Sequence, residues 1–483
     1  MDNILSLQPA EIWKYFHEIN QIPRSSGKEQ KVIEYLLSFA KEHNLESDKD
    51  KVGNIVIRKA ATKGMEKHKK VILQSHMDMV CEKNSDSPHN FDKDPIQAWI
   101  DGDWVKAKGT TLGGDDGIGI AASLAILASD RIEHGPLECF YTVDEETGMT
   151  GAFGLQPGFL KGEMLINLDS EDEGELFIGC AGGKDTTIEF KYVKDPAPTG
   201  YYCCKISVTG LIGGHSGDDI EKGFGNSNKI LNRFLYNLLL KTDLRLAEFN
   251  GGNLRNAIPR EAFAIICVPM SAKELVRVEL NLYAAEIRAE YATTEKNLKL
   301  DISTSQRPEY IIDKQTQEKL IGSLYACPHG VIAMSQALKG LVETSTNLAS
   351  VKFVDENKII VGTSQRSSVN TALNDVVCMV ANVFKLAGAE ISNSSGYPGW
   401  NPKLDSEILK ITEAAYIKLF GKKPIVRAIH AGLECGLFLT KYPNLDMVSF
   451  GPTIKGAHSP DERLNISTVQ KFWDLLVEVL KNV

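Results

Sequence analysis

The sequence predicts an α/β fold in which helices cover both faces of a sheet, followed by a second unit of different character. Three observations lead there. Through the first third of the chain, short apolar runs bounded by turns alternate with helical periodicity, the pattern of a sheet wrapped by helices. One of those runs, KKVILQSHMDMV, is too hydrophobic to have a wet face and reads as a central strand. And 483 residues exceed what one ordinary core organises, so two domains are expected.

Two amphipathic helices open the chain between Gln8 and Leu45. EIWKYFHEINQIP stops at a proline, and GKEQKVIEYLLSFAKEHN spaces Val32, Ile33, Leu36, Leu37 and Ala40 along one stripe. NIVIRKA and KKVILQ follow as strands, GIGIAASLAILAS as a helix, LECFYTV as a strand, a helix begins near TGMTGAFGL, and MLINLD is a strand. After Gly183 the character changes. TTIEFKYV and YYCCKISVTG are strands before a long helix at NSNKILNRFLYNLLLKT, and the series reads strand, helix, strand, strand, helix, strand through LKLDIST. A comparable series runs from Lys314 to about Ile391, which suggests an internal duplication of an α/β unit. SNSSGYPGWNP has the composition of a linker, and SEILKITEAAYIKLFG and LDMVSFGP return to helix and buried strand, completing the first domain.

Composition narrows the function classes. Apolar residues make up 43% and charged residues 24%, as in soluble globular proteins, and no run is long and apolar enough to span a bilayer. The start carries Asp2 and Glu11 and lacks a basic head and a cleavage site, so a cytoplasmic location is expected. With 54 basic against 63 acidic residues the formal charge is −9, which gives a nucleic-acid partner no electrostatic support. The nine cysteines, at 81, 139, 180, 203, 204, 267, 327, 378 and 435, form no C-x-x-C pair and read as reduced, mostly buried thiols.

Five places carry chemistry. In Ser75-His76-Met77-Asp78, period two sets His76 and Asp78 on one side, where a carboxylate can fix an imidazole tautomer and aim its other nitrogen at a metal; a purely structural pair has the same spelling. Leu112-Gly113-Gly114-Asp115-Asp116-Gly117 puts two carboxylates in a glycine turn, which repels phosphate and suits a cation, although Asp116 also makes a good helix N-cap. Glu145 and Glu146 follow a strand, where one can hold a metal while the other moves protons, or both can be solvated. Asp169 ends an apolar strand, and His458 lies in the loop GPTIKGAHSPDE. Together they supply two imidazoles and at least three carboxylates at strand ends, the ligand set of a two-metal hydrolase, and the nitrogen donors favour zinc over magnesium.

SHMDMV, GTTLGGDDGIG, TVDEETGMTGA, LINLDSEDEG, GGHSGDDI, NAIPREA, QRSS, HAGLECG and AHSPDE resemble, in order and over nearly the whole chain, the motifs of the co-catalytic zinc peptidases. That family includes carboxypeptidase G and tripeptidase T, and the likeness is greatest to its branch that cleaves aminoacyl-histidine dipeptides. The resemblance implies a catalytic domain of residues 1–184 and 399–483, built on a mixed sheet with helices on both faces, and an inserted α+β lid of residues 185–398. It implies two Zn2+ ions per chain, with Co2+ or Mn2+ as substitutes: Asp115 bridging, His76 and Asp169 on one ion, Glu146 and His458 on the other. Glu145 would be the general base and Asp78 the carboxylate behind His76. A cis peptide is implied at Asp115-Asp116.

From the lid, His215 would stabilise the oxyanion, and Asn256 and Arg366 would bind substrate, Arg366 by gripping its terminal carboxylate. Glu434 would face the amino group. Read from their residues alone, His215 is a loop histidine and Glu434 a helix-start carboxylate. The expected substrate is a small dipeptide of the form Xaa-His, with β-alanyl-histidine left open, and the expected assembly a homodimer with neither nucleic-acid nor membrane partner. Tripeptide cleavage and N-acyl amino acid deacylation use the same metal set. A non-catalytic metal-binding protein would have no use for Glu145, and no G-x-S-x-G elbow supports a serine hydrolase.

Overall fold

A computed structural model describes residues 3–483; Asp2, part of the acidic start, lies outside them. The chain forms two compact units, one of residues 1–179, 400–428 and 433–483, the other of residues 180–399 and 429–432.

The first unit is organised by an eight-stranded mixed sheet in the order Glu46–Lys49, Ile55–Lys59, Leu137–Thr142, Val71–His76, Met164–Asn167, Asp446–Ser449, Glu175–Cys180 and Ile425–Ile429. The four middle strands, Leu137–Thr142 to Asp446–Ser449, run parallel, so their carboxyl ends share one edge. Every residue of Val71–His76, Leu137–Thr142 and Met164–Asn167 is buried, as expected of strands covered on both faces. Helix Ala10–Asn20 buries Ile12, Trp13, Phe16 and Ile19 and packs on Gly114–Ala128, while Glu407–Phe420 packs on Ile466–Asn482. Glu407–Phe420 starts where the Ser406 side chain accepts the Leu409 N–H and stops at Gly421, whose φ of 66° is a left-handed cap.

Sequence reading overlooked the hairpin Ala98–Asp101/Trp104–Ala107, although its two-residue Gly102-Asp103 turn is a hairpin signal. Trp104–Ala107 pairs with Arg463–Asn465, which pairs in turn with Ile454–Lys455. His458 lies in the loop joining these last two strands.

The second unit holds a nine-stranded sheet whose main path is Lys299–Thr304, Tyr201–Thr209, Ala262–Pro269, Arg245–Gly251, Val342–Val354, Lys358–Ser367, Gly182–Lys191 and Glu390–Asn393. Its two halves have mirrored order. Tyr201–Thr209, helix Ser227–Leu239, Arg245–Gly251, Ala262–Pro269, helix Lys273–Glu290 and Lys299–Thr304 correspond to Gly182–Lys191, helix Lys314–Ala326, Val342–Val354, Lys358–Ser367, helix Asn370–Leu386 and Glu390–Asn393. The second series therefore takes its first strand from Gly182–Lys191, far upstream of Lys314, which a scan for contiguous repeats misses. The Ser/Gly/Pro-rich stretch is not a loose tether here, because Tyr397 and Gly183 exchange backbone hydrogen bonds at 2.9 Å.

One cysteine expectation is corrected. Cys203 and Cys267 form a disulfide, facing each other across Tyr201–Thr209 and Ala262–Pro269 with Cα atoms 4.1 Å apart. Their separation of 64 residues hides the pairing, which strand register alone creates. No helix among the described residues is long and apolar enough to cross a membrane.

Candidate metal centre

The carboxyl ends of the parallel strands deliver the chemistry-bearing residues to one edge. His76 is the last residue of Val71–His76, Glu145 and Glu146 open the short helix after Leu137–Thr142, and Asp169 stands two residues past Met164–Asn167. Asp115 lies in the first turn of Gly114–Ala128, in non-helical conformation, and its peptide bond to Asp116 is cis.

The side chains converge. His76, whose side chain is 1% exposed, places Nε2 2.9 Å from Asp115 Oδ1 and 3.4 Å from Asp169 Oδ1, with Nδ1 3.4 Å from Asp78 Oδ1. His458, half exposed, places Nε2 3.1 Å from Asp115 Oδ2 and 3.0 Å from Glu146 Oε2. Two groups of three potential ligands result, His76/Asp115/Asp169 and Asp115/Glu146/His458, with Asp115 common to both. Glu145 and Glu146 also stand within 4.8 Å of His76. Asp78 ties these pieces together, since its carboxylate accepts the N–H of Glu145 at 3.0 Å and of Glu146 at 3.2 Å and the Ser26 hydroxyl at 2.7 Å. Burial alone would raise Asp78, but His76 and these donors outweigh it and hold the carboxyl at about 2.

The electrostatics call for a cation. Burial pushes Asp169 up to about 7 against the pull of His76, and Glu145 well above the usual carboxyl range. Hydrogen bonding to Asp115 and Glu146 pushes His458 up to about 11. Glu146 Oε1 is buried without a hydrogen-bond partner, and both nitrogens of His76 face carboxylates. Imidazole and carboxylate donors with an orphaned oxygen are what a divalent metal satisfies, so the residues fit such an ion.

Glu434 is fully buried in the same unit. Its Oε2 accepts hydrogen bonds from Thr142 Oγ1 at 2.6 Å and Gln74 Nε2 at 2.7 Å, while Oε1 has no hydrogen-bond partner. Gln74 continues to Asn167, and Asn167 to Ser449, so one polar side chain from each of the four parallel strands joins a line through the sheet. Sequence reading overlooked this line, and it overlooked Glu171, whose carboxyl burial and the charges of Asp115 and Asp169 push up to about 8. The spacing of two between Asp169 and Glu171 was the available signal.

The second unit gathers the other expected residues. His215 pairs with Ala257 in a short ladder, and Ser216 N–H donates to the carbonyl of Asn256 at 2.8 Å, so the two segments lie side by side; the Asn256 side chain is exposed. Arg366 Nη2 lies 3.4 Å from His215 Nε2, and Nη1 donates to the Tyr397 hydroxyl at 3.3 Å. His215 Nδ1 stands 3.3 Å from Asp218 Oδ2.

Carboxylates and imidazoles clustered at the carboxyl edge of an α/β sheet are the equipment of a metal-assisted hydrolase. The chain belongs to peptidase family M20/M25/M40, whose profile it matches over residues 72–482, and it is a hydrolase of peptide bonds in a metal-dependent family. It is 46% identical over 483 residues to the cytosol non-specific dipeptidase of Escherichia coli (strain K12), covering 100% of this chain and 99% of that protein. The crystal structure of aminoacylhistidine dipeptidase from Vibrio alginolyticus superposes with a TM-score of 0.93 at 46% identity, covering 100% of this chain and 98% of that one. A Staphylococcus aureus tripeptidase matches with a TM-score of 0.58 at 16% identity over 99% and 98% of the two chains, a likeness of fold alone.

Proposed function

We propose that this protein is a dipeptidase that works with two divalent cations and prefers dipeptides ending in histidine, β-alanyl-histidine among them. The observation that carries the two-cation reading is Asp115, whose Oδ1 faces His76 and whose Oδ2 faces His458. One carboxylate is thereby offered to two places at once. His76 and Asp169 would hold one ion and Glu146 and His458 the other; zinc suits this mixed nitrogen and oxygen set, and Co2+ or Mn2+ could replace it. When bound, the cations supply Lewis-acid polarisation of the scissile carbonyl and acidify a water.

The chain's own residues do the rest. Asp78, 3.4 Å from His76 Nδ1, orients the imidazole so that Nε2 faces Asp115 and Asp169. Glu145 takes the proton of the attacking water and returns it to the leaving amine. His215 stabilises the oxyanion, Arg366 grips the terminal carboxylate of the peptide, and Asn256 is a further substrate-binding residue. Glu434 is the group assigned to the substrate's amino end through its unpartnered Oε1. A homodimer in the cytosol is the expected working form.

A second reading, a dipeptidase of broad specificity, is favoured by the likeness to the non-specific dipeptidase of Escherichia coli. A panel of Xaa-His, other free dipeptides, tripeptides and N-acyl amino acids separates the possibilities. Faster turnover of Xaa-His supports the first reading, and uniform rates across dipeptides the second. Dipeptide amides should show a raised KM or no turnover, and Arg366→Ala should erase the difference between free and amidated substrates. Equal cleavage of both by the unaltered enzyme would remove the carboxylate clamp. Gentle purification should yield about two zinc equivalents per chain, with activity lost on chelation and regained with zinc. Full activity in metal-free protein would overturn the mechanism.

A further inference from the structure

Two charged residues to which the motifs assign no role are almost wholly withdrawn from water: Arg24, 1% exposed, and Glu462, the last residue of AHSPDE, 2% exposed. Both are spent on backbone. The Glu462 carboxylate accepts four successive N–H groups, those of Leu112 at 2.7 Å and Gly113 at 3.0 Å on Oε2, and those of Gly114 at 2.7 Å and Asp115 at 3.4 Å on Oε1. Arg24 meets the same turn through carbonyls. Its Nη2 donates to Gly113 O at 2.6 Å, and its Nη1 to Asp78 O at 2.7 Å and Met77 O at 3.2 Å.

Each ion therefore bridges two ligand-bearing segments. Arg24 joins the exit of the His76 strand to the Asp115 turn, and Glu462, four residues beyond His458, joins that turn to the His458 loop. The glycines of LGGDDGIG record how closely the ions press. A Cβ on Gly113 would stand 2.5 Å from Arg24 Nη2, one on Gly117 2.6 Å from the same atom, and one on Gly114 3.2 Å from Glu462 Oε1. Burying a carboxylate and a guanidinium is costly unless hydrogen bonds satisfy them, and here N–H groups of the Asp115 turn take up the carboxylate, while carbonyls of that turn and of Met77 and Asp78 take up both Nη atoms of the guanidinium.

We propose that Arg24 and Glu462 are positioning residues, which hold the Asp115 turn between His76 and His458 before any cation arrives, so that ion binding does not have to order a glycine-rich loop. The proposal rests on Asp115 as the ligand shared by two ions. It differs from a merely structural role, in which the two residues would stabilise the fold without affecting how tightly or productively metal binds.

The test uses the full-length chain and Glu462→Gln, which keeps the side chain's size but removes its charge and one acceptor oxygen. In chelator-stripped protein, hydrogen exchange of the amides of residues 112–115 should quicken at least tenfold relative to the remaining amides of the unit. Zinc affinity, measured by competition with a chromophoric chelator well below the unfolding temperature, should weaken about 10- to 100-fold. In zinc-loaded enzyme kcat should fall with KM little changed. Arg24→Lys keeps the charge but loses the planar fork, and should shift exchange and zinc affinity in the same direction, which secures an answer if the Glu462 variant does not fold. Exchange and zinc affinity within twofold of the unaltered chain, whatever the change in Tm, would overturn the positioning role. An unaltered chain that binds fewer than two zinc ions would instead count against the two-ion reading of Asp115.

Discussion

Asp115→Asn is expected to empty the centre and abolish peptide hydrolysis, with a loss beyond the roughly 10⁴-fold upper end for removal of a general base. Asp115 Oδ1 stands 2.9 Å from His76 Nε2 and Oδ2 3.1 Å from His458 Nε2, so neutralising this carboxylate weakens both ligand groups together. Asn keeps the volume and one carbonyl oxygen but offers neither a charge nor a second oxygen. Metal analysis after dialysis should therefore fall from about two equivalents to below one, and added zinc should restore little activity. A variant that retains both ions and hydrolyses dipeptides at a comparable rate would remove Asp115 from its bridging place.

Glu145→Gln should behave in the opposite way, keeping its metal and losing its chemistry. Glu145 adjoins Glu146, whose Oε2 is engaged at 3.0 Å by His458, and the N–H groups of both are held by Asp78. The backbone geometry of the pair thus survives substitution of either side chain. Gln preserves size and hydrogen bonding but cannot accept a proton from water, a loss that costs on the order of 10²- to 10⁴-fold in kcat. Two zinc equivalents, normal dipeptide binding and a collapsed kcat are expected, whereas Glu146→Gln should lose metal along with activity. Equal metal loss in the two variants, or near-normal kcat in Glu145→Gln, would show that the two carboxylates have exchanged roles.

By itself the sequence determined the kind of sheet and the chemical inventory. Both are written in local pattern: unbroken apolar runs mark strands buried on both faces, and His76, Asp115, Glu145, Glu146, Asp169 and His458 sit at the ends of such runs or in glycine turns. The residues that sequence reading overlooked are those whose meaning is a distance. Nothing around Arg24 announces that its guanidinium will reach carbonyls at Met77, Asp78 and Gly113, and Glu462 finds its four N–H partners some 350 positions upstream. Cys203 and Cys267 meet through the register of two strands, and the mirrored order of the second unit's sheet needs Gly182–Lys191 from outside the repeat. Tertiary structure decided these because burial, hydrogen bonding and electrostatic coupling depend on separation in space. Parallel strands with their crossovers bring together segments that the chain keeps far apart.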